Sequence, residues 1–331
     1  MTAVSQTTNP AAAREVYREV LLDLAMRDER VVCLDSDTGL FSGASWKTAR
    51  ARYVNLGIAE QNMMGVAAGL AFSGRVVYVN TMATFAATRA LESVKLDIAF
   101  NCLPVRIVAT HGGLSAGHLG STHHSLEDLA VMRLLPNLTV LVPADARATE
   151  QLLRAAHQLP GPVYLRLGRN ATPDLDPGLE PAEIGRAQRL RSGGDLTLIA
   201  TGPYPVQAAL TAGELLAAAG IGATVLNMHT VKPLDAEAVK AATTSGRGIV
   251  TVEEHWSAGG LGSAVAEVVS ELAAPVPVRR VAVADRFALG SGGQQHLLQR
   301  NGITAEVVAE RALQLVRGWA PVRHVPGVNC G

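Results

Sequence analysis

The sequence alternates short apolar runs with longer stretches of helical length, and this alternation restricts its fold more than any other feature. Strand-like runs occupy residues 31–34, 76–79, 105–109, 139–142 and 163–167. Before the first of them, residues 13–27 carry apolar side chains at the spacing of a helix with one buried face. The alternation predicts a mainly parallel sheet with helices on both of its faces.

One polar stretch interrupts this pattern. Residues 170–181 contain three prolines, which can continue neither a helix nor a central strand. Strand-like runs then resume at residues 196–200, 223–227, 249–252 and 278–283. We therefore predict an α/β protein with two three-layer domains, each built on a mainly parallel sheet. The predicted ranges are a flexible leader at 1–12, a first domain at 13–169, a linker at 170–184, a second domain at 185–320 and a tail at 321–331.

Charge and hydropathy exclude several classes of function. The chain of 331 residues has 29 Lys and Arg against 29 Asp and Glu, so no net positive field attracts nucleic acid or anionic lipid. No apolar run reaches the roughly 18 residues that a membrane span requires, and the first residues do not read as a signal peptide. The few, widely separated cysteines favour reduced thiols over a disulfide framework. We expect a soluble, cytoplasmic protein that binds neither nucleic acid nor a membrane.

Loops after strands are the places where chemistry is expected, because ligands of open parallel sheets bind beyond the carboxyl ends of the strands. In the first predicted domain, polar residues concentrate in such loops at 35–38, 55–61, 81–85 and 111–124. Glu60 lies in the second loop, just before a helix predicted at residues 61–72. On its own, a glutamate at a helix start most often caps the helix.

Several motifs that occur in order change this interpretation. Residues 55–62 read Asn-Leu-Gly-Ile-Ala-Glu-Gln-Asn, residues 83–85 read Ala-Thr-Phe, and residues 120–123 read Gly-Ser-Thr-His. Together they resemble the pyrimidine-binding half of transketolase-type thiamine diphosphate enzymes. Residues 232–235, Lys-Pro-Leu-Asp, and residues 252–255, Val-Glu-Glu-His, are similar to a transketolase C-terminal domain. The resemblance implies that the two predicted domains are these two, in this order.

One motif of the family is missing. Full-length transketolases carry an earlier domain whose Gly-Asp-Gly and downstream Asn hold magnesium and the diphosphate, and this chain contains no Gly-Asp-Gly. The resemblance therefore implies the carboxyl-terminal subunit of a split transketolase. A partner subunit would then bring the diphosphate-binding domain and the Mg²⁺ ligands. Because such cofactor sites lie between domains of different chains, we expect a dimer of this chain and an α2β2 heterotetramer with the partner.

The resemblance also implies the residues that bind thiamine diphosphate. Glu60 matches the carboxyl group that hydrogen-bonds the aminopyrimidine ring, and burial of a carboxyl group raises its affinity for a proton. Phe85 matches the aromatic residue that stacks on this ring, and Gly57 and Ile58 belong to the same cofactor-binding motif. His123 matches an active-site histidine that can hydrogen-bond substrate oxygens and move protons near neutral pH, so Glu60 and His123 are the predicted catalytic residues.

The predicted substrate-binding residues are His111, Arg14, Arg169, Ser36, His118 and Leu119. The first three match residues that hold an acceptor phosphate in the family. Where many transketolases read Gly-Glu-Asp-Gly, residues 117–120 read Gly-His-Leu-Gly. Because leucine cannot accept a hydrogen bond from a substrate hydroxyl, we hypothesise a less common acceptor. The adjacent histidines 123 and 124 lack the spacing of a metal site, so no metal ligands are predicted in this chain.

Several functions share this architecture. The leading hypothesis is a transketolase-type transferase subunit that moves a two-carbon ketol unit from a ketose to an aldehyde. The alternatives are a 1-deoxyxylulose-5-phosphate synthase-like protein, a 2-oxo acid dehydrogenase beta-type subunit and a non-catalytic interaction subunit. The motifs at 57–61 and 120–123 favour the first two of these four, and a lone chain of this length disfavours the synthase, which is usually one long chain. Glu253, Glu254 and His255 are interpreted as structural or interfacial.

Overall fold

The computed structural model describes residues 11–244 and 246–316. Most of the predicted leader, the whole predicted tail and residues 317–320 of the second predicted domain lie outside the described residues. Within them, the chain forms two sheets, each with apolar side chains of helices packed on both faces. The prediction of two three-layer α/β domains is confirmed.

All nine strand-like runs of the sequence are strands, and three short strands join them. In chain order the strands are β1 (Val31–Asp35), β2 (Tyr53–Asn55), β3 (Val76–Met82), β4 (Val105–Thr110), β5 (Thr139–Leu141), β6 (Val163–Arg166), β7 (Gln188–Arg191), β8 (Leu196–Thr201), β9 (Ala223–Asn227), β10 (Thr230–Lys232), β11 (Ile249–Trp256) and β12 (Val278–Val283). The strands that the sequence did not predict are β2, β7 and β10, which have 3, 4 and 3 residues. None of them contains a run of apolar residues long enough to signal a strand.

The helices occupy the stretches between the strands. They are α1 (Ala13–Arg27), α2 (Glu60–Phe72), α3 (Ala83–Ala87), α4 (Leu91–Ser93), α5 (Asp128–Leu134), α6 (Ala146–His157), α7 (Pro203–Ala218), α8 (Ala236–Thr244), α9 (Leu261–Ser270), α10 (Gln294–Arg300) and α11 (Ala305–Val316). Short 3₁₀-helices span Lys47–Arg52 and Gly117–Leu119, and a short π-helix at Val94–Ala99 continues α4. None of the helices in the described part of the chain is long and apolar enough to cross a membrane.

The first sheet has seven strands in the order β10-β5-β6-β4-β3-β1-β2, and all but β10 run parallel. Strands β1 and β4 are buried along their whole length, as expected for strands covered on both faces. Met63 and Met64 of α2 pack on one face, and Tyr17 and Leu21 of α1 pack on the other. This packing directs the carboxyl ends of neighbouring parallel strands toward one edge, where the predicted loops lie.

The second sheet has five strands in the order β12-β11-β8-β9-β7, with β7 antiparallel to β9 and the others parallel. Apolar residues of α7 and α11 pack on one face, and those of α8 and α9 pack on the other. Both faces of the sheet are therefore covered, as they are in the first domain.

The two sheets are connected closely. The chain passes from β9 in the second sheet to β10 in the first through only Met228 and His229, which are both fully buried. The amide of Val142 donates to the His229 carbonyl at 2.8 Å, next to the pairing of β10 with β5. A strand from the second half of the sequence thus completes the sheet of the first half, while the predicted domain ranges remain predictions.

Candidate functional site

A buried polar network surrounds Asp35 at the carboxyl ends of β1 and β2. The Asp35 carboxylate accepts hydrogen bonds from the Thr38 hydroxyl at 2.9 Å and from the Tyr53 hydroxyl at 3.0 Å. The neighbouring Ser36 is also buried, and its hydroxyl donates to Oγ1 of Thr81 at 2.9 Å. The structure therefore places Ser36 inside the fold with its hydroxyl proton engaged, and its contact with a substrate remains a prediction.

The turn before α2 places Glu60 at the first position of that helix. Gly57 has a φ of 71°, a conformation that glycine adopts without steric cost, and its amide donates to Oδ1 of Asn55 at 2.9 Å. Ile58 is 74% exposed, whereas Glu60 is only 2% exposed. The three residues of one motif therefore have different environments: a turn, an exposed apolar side chain and a buried carboxyl group.

Arg89 contacts Glu60 and Phe85, although no motif of the sequence predicted it. Its Nη1 donates to Oε2 of Glu60 at 3.1 Å, and its guanidinium carbon lies 4.5 Å from the centre of the Phe85 ring. Phe85 and Arg89 are four residues apart, the spacing of side chains that meet on one helical face. This spacing could have suggested their contact, but nothing in the sequence indicates the pairing with Glu60.

The Phe85 ring also contacts His123. The two ring centres are 5.4 Å apart with the planes at 78°, an edge-to-face arrangement. Nδ1 of His123 lies 2.9 Å from Oγ1 of Thr122. Three residues that lie in separate motifs of the sequence are thus connected through Arg89 and the Phe85 ring, and we refer to Glu60, Phe85, Arg89 and His123 as the Glu60 group.

Oε1 of Glu60 has a different environment from Oε2. Among the residues that the structure describes, no hydrogen-bond donor reaches Oε1, while Oε2 is held by Arg89. Oε1 is not one of the fully buried polar atoms without a partner, so this oxygen retains some access to solvent. Oε1 is therefore available to bind a polar atom of a ligand.

A second cluster contains His111, His118, Arg14 and Arg169, which we refer to as the His111 group. His111 directly follows β4 with a φ of 60°, a conformation that non-glycine residues rarely adopt. Its Nδ1 lies 3.0 Å from Oγ1 of Thr110. Nη1 of Arg169 lies 2.8 Å from Nδ1 of His118. The structure therefore pairs two of the predicted substrate-binding residues, Arg169 and His118, and the charges of Arg14 and Arg169 act on a third, His111.

The electrostatics of His111 agree with this clustering. Burial lowers the pKa of His111 to about 4, and the charges of Arg14 and Arg169 and the neighbouring His118 and His123 contribute to this shift. His111 is therefore neutral at pH 7 and can act as a hydrogen-bond donor and acceptor. Nε of Arg14 is buried and makes no hydrogen bond to any described residue, although it lies 3.6 Å from Oε1 of Glu15. Two guanidinium groups beside a neutral imidazole are well suited to bind an anion such as phosphate.

Leu119 and His124 lie close together in sequence but differ in exposure. Leu119 ends the second 3₁₀-helix and is 40% exposed, so it can contact a substrate. His124 is buried, and burial lowers its pKa. Across the described ranges 11–244 and 246–316, no group of three or more His, Cys, Asp or Glu residues is arranged to hold a metal ion.

The acidic pair Glu253 and Glu254 at the end of β11 is satisfied within the fold. The two oxygens of Glu253 accept hydrogen bonds from the amides of Leu261 at 2.7 Å and Gly262 at 2.8 Å, at the start of α9. Glu254 accepts the Leu114 amide at 2.6 Å. Burial raises the pKa of both carboxyl groups. These contacts agree with the structural interpretation of the pair.

Two protein-family models match the chain. Residues 9–174 match the transketolase pyrimidine-binding domain, and residues 185–309 match the transketolase C-terminal domain. The chain is 41% identical over 313 residues to one of the subunits of the apulose-4-phosphate transketolase of Phocaeicola vulgatus, a match that covers 93% of this chain and 99% of that protein. It is also 41% identical over 307 residues to the 6-deoxy-6-sulfo-D-fructose transketolase subunit SqwH of Clostridium sp. (strain MSTE9), covering 90% and 92%.

A solved structure agrees with these matches. It is described as a split-gene transketolase in the form of an inactive beta4 tetramer, and it is 39% identical to this chain. The two structures superpose with a TM-score of 0.83 over 93% of this chain and 99% of the other.

Proposed function

Because the chain belongs to the transketolase family, we propose that it is one subunit of a split transketolase that depends on thiamine diphosphate. In this role it works with a partner subunit that carries the diphosphate-binding domain and the Mg²⁺ ligands. The pair transfers a two-carbon ketol unit from a ketose to an aldehyde. The chain matches two transketolase subunits over almost their full length, which supports the proposal that a second subunit carries the remaining domain.

The observation that carries the proposal is the environment of Glu60. Its carboxyl group is buried, Arg89 binds one of its oxygens, and the Arg89 guanidinium also lies over the Phe85 ring. An aminopyrimidine ring needs a carboxyl group for its ring nitrogen and an aromatic surface for its face. Glu60 and Phe85 provide both within one cluster, so the residues present fit the pyrimidine half of the cofactor.

The residues of the Glu60 group have separate tasks. When bound, thiamine diphosphate supplies a carbon nucleophile that its own aminopyrimidine ring activates. Oε1 of Glu60 would hold a proton at the ring nitrogen, while Arg89 keeps Oε2 in place. Phe85 would contribute about 1 kcal/mol by stacking, beyond simple burial. His123, in contact with Phe85, would hydrogen-bond a substrate oxygen and move a proton there.

The His111 group would bind the anionic end of a substrate. The names of the relatives described above refer to apulose 4-phosphate and to 6-deoxy-6-sulfo-D-fructose, and both names denote sugars with a terminal anion. Arg14 and Arg169 would contact the anion, and the neutral His111 would add a hydrogen bond. Leu119 would contact the carbon skeleton, where a leucine favours an acceptor without a hydroxyl at that position.

The proposed assembly rests on the absence of a Gly-Asp-Gly motif from this sequence. A second subunit must contribute the diphosphate and Mg²⁺ contacts, and self-association of this chain gives an α2β2 heterotetramer of cytoplasmic location. A neighbouring reading frame of similar size with Gly-Asp-Gly and a downstream Asn would support this proposal. The purified chain alone should bind thiamine diphosphate weakly.

Replacing Glu60 tests the proposal in the reconstituted pair. Glu60→Gln should lower ketol transfer by about 10²–10⁴-fold, because the amide cannot hold the proton that the ring nitrogen requires. Glu92→Gln, an identical change at an exposed position on α4, serves as the matched control and should leave the rate unchanged. Full activity of Glu60→Gln would favour the non-catalytic alternative.

The product of the reaction separates the remaining alternatives. Ketose-dependent transfer without release of carbon dioxide supports the transketolase proposal. Release of carbon dioxide from pyruvate or another 2-oxo acid would instead support the synthase-like or dehydrogenase-like alternatives. The assay uses the pair with thiamine diphosphate and Mg²⁺, with the partner alone as the control.

A further inference from the structure

We propose that the C-terminal domain positions the substrate-binding histidines, with Gln294 and Ser121 as positioning residues. The histidines lie in the loop between β4 and α5, residues 111–126, which we call the histidine loop. The inference rests on the proposed function, because it assigns His111, His118 and His123 to substrate. It gives the C-terminal domain a direct influence on substrate binding, although the histidine loop belongs to the first half of the sequence.

The apolar side chains of the histidine loop are buried in the second domain. Leu114 and Leu126 are almost fully buried, and both belong to the same apolar cluster as Leu198 of β8 and Val252 of β11. The amide of Trp256, at the end of β11, donates to the Leu126 carbonyl at 2.9 Å. Because burial of two leucines contributes on the order of several kcal/mol, the histidine loop is held mainly by this domain.

A chain of hydrogen bonds fixes the first part of the histidine loop. Oε1 of Glu254 accepts the Leu114 amide at 2.6 Å, and Nε2 of Gln294 donates to the same carboxylate at 2.9 and 3.0 Å. Oε1 of Gln294 in turn accepts a hydrogen bond from Nδ2 of Asn170 at 3.0 Å. Gln294 therefore connects the backbone three residues after His111 with the residue next to Arg169.

The close approach of the backbone at Gly113 shows how tight this contact is. A Cβ atom at Gly113 would lie 2.5 Å from Cδ of Glu254, so only glycine fits there. Gly113 also has a φ of 64°, which favours glycine on conformational grounds. Even one added carbon atom at Gly113 would therefore force the histidine loop away from Glu254.

A second segment of the C-terminal domain fixes the middle of the histidine loop. This segment, residues 284–293, connects β12 with α10, and we call it the 284–293 loop. The amide of Gly292 donates to the Gly117 carbonyl at 3.1 Å, and the Ser121 hydroxyl donates to the Ala288 carbonyl at 2.7 Å. These two contacts flank His118 and Leu119 and lie shortly before His123.

Arg166 fixes the C-terminal end of the histidine loop. Its Nη2 donates to the Ser125 carbonyl at 2.9 Å and to the Glu254 carbonyl at 2.8 Å, so one buried guanidinium links the histidine loop with β11. Each substrate-binding histidine therefore lies within three residues of a contact to the C-terminal domain. In contrast, Arg89, which contacts both Glu60 and Phe85, lies outside the histidine loop. Disturbing the contacts of the histidine loop should affect substrate binding more than cofactor binding.

The test uses the reconstituted pair and measures substrate and cofactor separately. Gln294→Leu should raise KM for the substrate that carries the anion at least about tenfold, because small displacements of positioning groups are costly. Ser121→Ala should raise it less, and Ser121→Thr, which keeps the hydroxyl, should restore the wild-type value. The affinity for thiamine diphosphate, measured by fluorescence titration, should stay within about twofold of the wild type in all three variants.

Asn301→Ala is the matched control, because it removes one hydrogen bond at the other end of α10, from Asn301 Nδ2 to the Leu297 carbonyl at 2.8 Å. It should lower Tm without changing KM. If Gln294→Leu and Ser121→Ala lower Tm like the control and leave KM unchanged, their role is only structural and the proposal is wrong. Equal losses of cofactor affinity and substrate affinity would also overturn it.

Hydrogen exchange makes the inference testable independently of the proposed function. Gln294→Leu should speed amide exchange in the histidine loop and leave α2, which carries Glu60, protected as in the wild type. Failure of the wild-type pair to transfer a ketol unit would contradict the proposed function alone. Unchanged exchange in the histidine loop of Gln294→Leu would contradict the positioning role, whatever reaction the pair performs.

Discussion

Two buried carboxyl groups of this protein, Glu60 in the first domain and Glu254 in the second, have similar exposure and opposite surroundings. Glu60 is 2% exposed and Glu254 is 4% exposed. Glu254 accepts hydrogen bonds from a backbone amide and from a glutamine side chain, using both oxygens. Glu60 is bound at Oε2 by a half-exposed arginine. Burial alone therefore does not distinguish these two acids, whereas the number of satisfied oxygens does. Both oxygens of Glu254 are satisfied within the fold, and Glu60 has one oxygen that we propose binds a ligand.

The largest effect is expected for stability at Glu254. Glu254→Ala leaves the Leu114 amide and the Gln294 amide without their acceptor and reduces the negative charge around the buried Arg166. We expect a loss of about 3–5 kcal/mol in the free energy of unfolding, measured with urea. Glu267→Ala, which removes an exposed ion pair with Arg133 in the same part of the molecule, should cost less than about 1 kcal/mol. Equal losses in both variants would remove the distinction between the two kinds of acid.

The pH dependence of stability should be the next largest effect. Burial lowers the pKa of both His111 and His229 to about 4, from the ordinary value of 6.5. The unfolded chain therefore binds more protons between these values, and the free energy of unfolding should fall as the pH drops from 6.5 to 4, by up to about 3 kcal/mol per histidine. His229→Gln should remove one such contribution in urea unfolding at pH 7 and pH 5. A loss between these two pH values as large as in the wild type would contradict this assignment.

Inorganic phosphate should change the pKa of His111 and leave the pKa of His229 unchanged. The charges of Arg14 and Arg169 contribute to the lowered pKa of His111, whereas burial alone lowers that of His229. A bound phosphate offsets the two arginine charges, so the pKa of His111 should rise while that of His229 stays constant. NMR titration of the imidazole signals with and without phosphate measures both. Equal responses would indicate that the His111 group does not bind the anion.

A smaller effect is expected for stability at Glu60. Because the paired Arg89 is half exposed, solvent screens their interaction, and Glu60→Gln should change the free energy of unfolding by less than about 1 kcal/mol. The same variant should lose most of its ketol transfer activity. Thermal unfolding of the variant beside the wild type tests this. A large loss of stability would place Glu60 in the same class as Glu254.

The smallest expected effect is a change in the preference for one aldehyde acceptor over another. Leu119→Asp should raise turnover of hydroxylated aldehydes relative to non-hydroxylated ones by about fivefold, the value of one hydrogen bond near 1 kcal/mol. Leu134→Asp, the same change at an exposed position on α5, should not alter the ratio. Competition between two aldehydes in one reaction measures it directly. No change for Leu119→Asp would contradict the hypothesis of an acceptor lacking this hydroxyl.

The sequence predicted the parts of the molecule that depend on local patterns. All nine apolar runs are strands and α1 has its predicted bounds, because strands buried on both faces require continuous apolar residues. Strands β2 and β10 escaped prediction because their hydrogen-bond partners, rather than their composition, define them. The order of motifs was enough to identify the family and to name Glu60, Phe85 and His123 together.

The contacts that join distant parts of the chain could not be read from the sequence. The pairing of Arg89 with Glu60 and the acceptance of the Leu114 amide by Glu254 connect residues 29 and 140 positions apart. Such contacts depend on the packing of whole domains, which no local pattern encodes. The roles of the predicted site residues remain predictions that the experiments above can decide.

The two-residue passage from β9 to β10 has a consequence for how the chain can be divided. Because β10 supplies the outer strand beside β5, a fragment that ended in the proline-rich stretch would leave the backbone amides and carbonyls of β5 exposed on a sheet edge. Such an edge invites pairing with other molecules. The chain therefore cannot be divided into two independent fragments at the proline-rich stretch, although the amino-acid composition changes there. The first half needs β10 from the second half to cover the edge of its sheet and so to avoid aggregation.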